Sequence, residues 1–214
     1  MKKIVFFGDS ITDSGRNKEI DFANGSYGHG YVLFASGKIM TDKPNEYEVY
    51  NRGISGNRIV DAYARIKKDV WNLEPDVISI YLGVNDVWHD IKYNNGVELD
   101  RFEKVYRMLL EDTIKRLPNC KLMMIEPFVV EGTRTSEGEN EFEKFLRVYD
   151  YAKVCEKLAK EFDIPYLKTQ EMANKLSSEN GEKFFAIDGV HPSITGSKLI
   201  ADEWVKLFYE KIDK

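Results

Sequence analysis

Lys2-Lys-Ile-Val-Phe-Phe-Gly-Asp-Ser-Ile-Thr12 opens the chain with an apolar run that breaks at Gly8-Asp9-Ser10. An unbroken apolar run of this length reads as a strand covered on both faces, and a glycine followed by small polar residues reads as the turn out of it. The same alternation recurs along the chain. Strands are predicted at 3–8, 47–52, 76–82, 121–126 and 164–168. Helical periodicity fills 31–42, 59–72, 98–117, 140–162 and 171–179, and an amphipathic helix runs from 193 to about 212. Strands that alternate with helices pair in parallel through crossover connections, so the fold class is α/β. Pro75 and Pro165 stand at strand starts, Pro118-Asn119 ends a helix, and no repeat or composition shift divides the chain, which reads as one domain over 1–214. The polar stretch 131–139 is expected to be a mobile loop after the fourth strand.

A formal charge of −5, with lysines interleaved among glutamates, supplies no basic field for a nucleic-acid partner. The first apolar run stops at Asp9, too short for a signal sequence, and no stretch approaches the roughly 20 apolar residues of a membrane span. The expected location is cytoplasmic. The 2 cysteines, Cys120 and Cys155, form neither a disulfide framework nor a zinc-ligand pattern and are expected to pack as small core residues.

In an open α/β sheet, ligands bind beyond the carboxyl ends of the strands. Three polar segments fall there: Gly8-Asp9-Ser10, Arg52-Gly-Ile-Ser-Gly-Asn57 and Gly83-Val-Asn-Asp86. Near the far end stands Asp188-Gly-Val-His191, where the carboxylate is close enough to orient one imidazole nitrogen while the other faces outward. A serine hydroxyl attacks a carbonyl only when a base takes its proton, so Ser10, His191 and Asp188 are the candidate nucleophile, base and orienting acid. The N–H of Ser10, the N–H of Gly53 and the amide of Asn85 are the candidate oxyanion donors.

These blocks resemble those of the SGNH (GDSL) hydrolase superfamily: Gly-Asp-Ser-Ile-Thr, the glycine block around Gly53, Gly-x-Asn-Asp and Asp-x-x-His. The resemblance spans residues 4 to about 200. It implies a flavodoxin-like three-layer α/β/α sandwich with a five-stranded parallel sheet, and a serine esterase that needs no cofactor and no metal. Asn51-Arg-Gly-Ile-Ser-Gly-Asn57, Gly83-Val-Asn-Asp-Val-Trp88 and Pro127-Phe-Val-Val-Glu-Gly132 further resemble intracellular bacterial acetylxylan esterases. That branch implies an acetylated xylo-oligosaccharide or similar small carbohydrate ester as substrate, and a homo-oligomer. Phe185-Ala-Ile187 stands before Asp188 where those relatives would carry a tryptophan. Phe185, Trp88 and Asp9 are the candidates for lining the substrate pocket.

Each residue also has a plainer reading. Asp9 fixes its turn by hydrogen-bonding loop amides and stays outside the catalytic set. Gly53 serves a turn, Asn85 or Asp86 caps the following segment, and Trp88 packs in the core or stacks on a sugar ring. Trp71 and Trp204 follow helical periodicity into the core, while His29 and His89 read as solvated loop histidines. Three other functions fit parts of the pattern: a lysophospholipase, thioesterase or short-chain lipase on the same machinery; a flavodoxin-like module holding phosphate or flavin; and a metallophosphatase. The second leaves Asp188 and His191 without a role, and the third lacks a histidine-rich ligand set.

Overall fold

The computed structural model describes residues 1–138, 141–181 and 183–213. In chain order the elements are β1 (Lys2–Gly8), α1 (Ser10–Asp13), α2 (Tyr31–Asp42), β2 (Tyr47–Gly53), α3 (Ile59–Asp69), β3 (Val77–Tyr81) and α4 (Val84–Tyr93). They continue with α5 (Leu99–Arg116), β4 (Lys121–Ile125), α6 (Glu141–Phe145), α7 (Val148–Glu161), β5 (Tyr166–Leu167), α8 (Gln170–Asn180) and α9 (Ile194–Lys211). The strands form one parallel five-stranded sheet in the order β2-β1-β3-β4-β5. This doubly wound order has its switch point between β1 and β3, where the connections leave in opposite directions and open a crevice.

Residues 4–7 of β1 are wholly buried because both faces of the sheet are covered. Successive side chains of a strand point to opposite faces. Phe6 meets Tyr31 of α2 and Trp204 of α9, while Phe7 lies under the Arg65 guanidinium of α3 at 4.3 Å. Helices α2 and α9 thus cover one face, and α3 packs with α5 and α5 with α7 on the other. Trp204 is a core residue, its ring stacked on Phe208 and its N–H donating to Ser79 Oγ at 2.9 Å. Trp71 is only half-buried, and its indole N–H donates to Thr113 Oγ1 of α5. Cys155 is fully buried and Cys120 partly so.

Several expected boundaries shift for local reasons. Helix α3 stops at Asp69, where Val70 leaves helical geometry, and a short 3-10 turn, Trp71–Leu73, follows and ends at Glu74, just before Pro75. The helix expected over 140–162 is two helices broken at Leu146-Arg147, which lets Phe145 turn inward against Trp88; residues 139 and 140 lie outside the described set. β5 is reduced to two residues, since Pro165 has no N–H to give and the Thr169 N–H is taken by the Glu126 carboxylate at 2.7 Å. Helix α4, over residues for which no element was predicted, and the one-turn α1 were not expected. No helix among the described residues is long and apolar enough to cross a membrane.

Candidate active site

Ser10 is placed by the end of β1. The Asp9 carboxylate accepts the Ile11 N–H at 3.0 Å and caps α1, so Ser10 becomes the first residue of that turn. Gly8 has to be glycine, because a Cβ there would lie 2.2 Å from Thr12 Oγ1 and 2.7 Å from the Tyr81 carbonyl oxygen. Asp9 itself is 1% exposed. Burial pushes its carboxyl up to about 7, against the pull of the Ile11 N–H and of His191. It fixes the turn and lies beneath the cavity wall without forming part of it, which corrects its expected place in the pocket lining.

His191 arrives from the other end of the chain. Its Nε2 lies 2.9 Å from Ser10 Oγ and its Nδ1 2.8 Å from Asp188 Oδ2, joining residues 181 positions apart in sequence. With Nδ1–H donated to Asp188, the tautomer that satisfies both contacts, Nε2 accepts the serine hydroxyl. The other carboxylate oxygen, Oδ1, accepts the backbone N–H groups of Val190 and His191 at 3.1 and 2.8 Å, closing the turn that carries the ring. Partial burial works to raise the Asp188 carboxyl, but the hydrogen bond from the His191 ring and the two backbone N–H groups outweigh it and bring it down to about 2. Asp188 therefore stays ionised at neutral pH, as an orienting group must.

The oxyanion side departs from expectation at Gly53. The β2 strand runs through this residue, pairing it with Gly8, and its N–H donates to Asn51 Oδ1 at 2.9 Å. That N–H is already committed. Glycine is required there for a packing reason: a Cβ would stand 2.1 Å from the Asp13 backbone nitrogen of α1. Asn51, buried and with its amide donating to the carbonyls of Thr12 and Tyr27, brackets the Ser10 turn against β2. Three residues on, Gly56 adopts φ +80°, borders His89, and has an N–H with no acceptor among the described residues. The Ser10 N–H, at the start of a helix turn, is likewise free.

Asn85 sits in the first turn of α4 at 7% exposure, and its amide donates to the Asn57 carbonyl at 3.2 Å, which leaves its second N–H to the crevice. Asp86 is wholly buried and caps a different helix from the one expected, accepting the Ile59 N–H of α3 at 3.0 Å. Arg65, which the sequence offered only as one more charge on an amphipathic helix, ties this region together. Its guanidinium donates to the carbonyls of Gly8 and Arg52, each at 2.9 Å, and to the Asn57 side chain. Periodicity gives no sign that such an arginine turns inward beneath the strand ends.

Trp88 is 9% exposed, its ring 5.4 Å from Phe145 and 6.3 Å from the His191 ring, so it backs the base and belongs to the core. Phe185 is fully buried against Phe128, and its expected place in the pocket is also corrected: the bridge between Ala186 and Pro192 turns it inward. His29 is exposed, and His89 packs on Tyr93. A cavity of about 420 Å³ opens over Ser10 and His191 and is walled by Asp13, Ser14, Arg16, Lys18 and Ser55. Lys18 pairs with Asp13 at 2.9 Å, and Asp13 in turn accepts the Ser55 N–H. A larger cavity, about 700 Å³, lies at the opposite edge of the sheet where β4 begins; burial pushes its Cys120 thiol up to about 12, far from a reactive thiolate. Among the described residues no group of three or more His, Cys, Asp or Glu side chains is arranged to hold a metal ion.

The GDSL-like lipase/acylhydrolase family profile matches residues 4–204. An acetylxylan esterase of Geobacillus stearothermophilus is 34% identical over 212 residues, covering 96% of this chain and 93% of the relative. Its crystal structure superposes with a TM-score of 0.84 at 30% identity, over 96% of this chain and 93% of that one. A GDSL-like lipase candidate from Parabacteroides merdae superposes with a TM-score of 0.91 at 32% identity, over 98% and 96% of the two chains. A thioesterase/protease/lysophospholipase of Escherichia coli is 27% identical over 190 residues, covering 83% of this chain and 76% of the relative.

Proposed function

This chain belongs to the GDSL-like lipase/acylhydrolase family and is an esterase, and we propose that it removes acetyl groups from the hydroxyls of a small carbohydrate such as an acetylated xylo-oligosaccharide. The observation that carries the chemistry is the continuous array Ser10 Oγ, His191 Nε2, His191 Nδ1 and Asp188 Oδ2, with both contacts under 3 Å. In this reading His191 takes the Ser10 proton as the hydroxyl adds to the ester carbonyl, and Asp188 steadies the imidazolium. The tetrahedral oxyanion is received by the free N–H groups of Ser10 and Gly56 and the Asn85 amide. Collapse releases the sugar hydroxyl with a proton from His191, and water then hydrolyses the acyl-serine by the same proton path.

The choice of substrate rests on the cavity. Among the described residues its walls carry hydroxyl, carboxylate, imidazole and cationic groups and no hydrocarbon side chain, a lining suited to a sugar and unsuited to a long acyl chain. The likeness to an acetylxylan esterase points the same way. The test is a panel of acetylated xylo-oligosaccharides, p-nitrophenyl acetate, p-nitrophenyl octanoate and an acyl thioester, with Ser10→Ala as the control. Acetyl esters are expected to be turned over and octanoate left nearly untouched. Preference for octanoate or an acyl thioester would assign the site instead to the activities named for the Escherichia coli relative.

A further inference from the structure

The stretch 131–139 was expected as a mobile loop; its described part, with Val130 before it, lies across the turn that carries Asp188 and His191. The Val130 N–H donates to the Gly189 carbonyl at 2.9 Å and the Arg134 N–H to the Asp188 carbonyl at 3.0 Å. The two backbones touch: a Cβ at Gly132 would lie 2.3 Å from the Gly189 nitrogen, and one at Gly189, where φ is +101°, would lie 2.3 Å from Thr135 Oγ1. Thr135 is wholly buried, its hydroxyl donating to the Val130 carbonyl. Farther along, Glu137 pairs with Lys92 of α4 at 2.9 Å. This strap fixes the Arg134 backbone beside the turn, and the guanidinium Nε rests 3.6 Å from Asp188 Oδ2, the oxygen that receives the His191 ring.

We propose that Arg134 is a positioning residue that sets the working pH of the Asp188–His191 pair by holding a positive charge against it. The inference rests on the reading of Ser10, His191 and Asp188 as the acyl-transfer site. A cation beside a carboxylate–imidazole pair opposes a second positive charge there, so its loss or reversal is expected to alter the pH dependence of proton transfer from the serine. The other charges facing the pair come from different elements. Asp9 faces the ring from the α1 cap, and Asp13, Arg16 and Lys18 line the cavity that His191 borders. Trp88 of α4 and the Phe145 behind it are uncharged. None of these is attached to the strap, so a change at Arg134 leaves them in place.

The measurement is the pH profile of kcat/KM for p-nitrophenyl acetate across Arg134→Lys, Arg134→Gln and Arg134→Glu at low salt. Arg134 is 59% exposed, and the backbone bonds of the strap do not need its side chain, so all three variants are expected to fold. The acid limb is expected to stay put in Arg134→Lys. It should move up by about 0.3–0.5 pH unit in Arg134→Gln and by roughly twice that in Arg134→Glu, with the alkaline plateau held within about threefold. In 1 M salt the shifts should shrink, because the screening length falls to about 3 Å. An acid limb unmoved across the series, or an equal fall at every pH, would overturn the proposal. Activity that survives Ser10→Ala would instead overturn the site on which it rests, so the two failures are separable.

Discussion

A hydroxyl as weakly acidic as that of Ser10 becomes a nucleophile only through its neighbours, and those neighbours differ sharply in how they hold charge. Asp188 keeps a solvent-accessible edge and three hydrogen bonds, and stays ionised. Asp9, one residue before the serine, has a single backbone donor and almost no solvent. The folded state therefore favours its protonated form. Its folded value of about 7 lies above the 3.8 of an ordinary aspartate, so between those two values the folded protein holds a proton that the unfolded chain has released. Stability from this group falls as pH rises through that window. The full difference is worth up to about 4 kcal/mol, less wherever water reaches the carboxylate. Asp9→Asn keeps an oxygen for the Ile11 N–H and carries no charge. Urea unfolding at pH 5 and pH 8 is expected to show the wild type losing more stability toward alkaline pH than Asp9→Asn does. Equal losses in the two proteins would show that Asp9 does not titrate in this range.

At the scale of elements, the apolar strands and the long amphipathic helices were legible because burial on two faces, or on one stripe, leaves a periodic trace. β1 to β4 fall within two residues of their expected ends, and α2, α5, α8 and α9 do likewise. What the sequence hid were pieces held by contacts rather than by period. The one-turn α1 exists through the Asp9 cap, and α4 begins at a glycine that no alternation announces. Gly53 illustrates the limit most clearly. The residue type signalled close approach, but only the fold shows that the approaching group is the backbone of α1 and that Asn51 occupies its N–H. Gly53→Ala is accordingly expected to destabilise the protein by about 1–3 kcal/mol, since backbone atoms cannot step aside as a side-chain tip can. Esterase activity should fall with it, because α1 carries Ser10. An unchanged urea midpoint would mean that the β2–α1 contact is looser than the geometry requires.

For the whole molecule, the meeting of Ser10, His191 and Asp188 at one place was legible from residue type, spacing and the rule that sites lie at the carboxyl ends of strands. The pocket lining was not. Phe185 and Asp9 are turned inward by the turns that hold the triad in place, and Arg65 and Arg134 act from positions that read as ordinary surface charge. The arrangement rests on topology: the parallel sheet sets the end of β1 beside the start of α9, and residues from opposite ends of the chain close one hydrogen-bonded line. Its direct test is the intact mass of the protein after exposure to a fluorophosphonate, which traps an activated serine as a stable phosphonyl adduct. The account requires one adduct per chain, mapped to the peptide containing Ser10 and lost in both Ser10→Ala and His191→Ala. Labelling that persists in His191→Ala, or that falls on another serine, would contradict it.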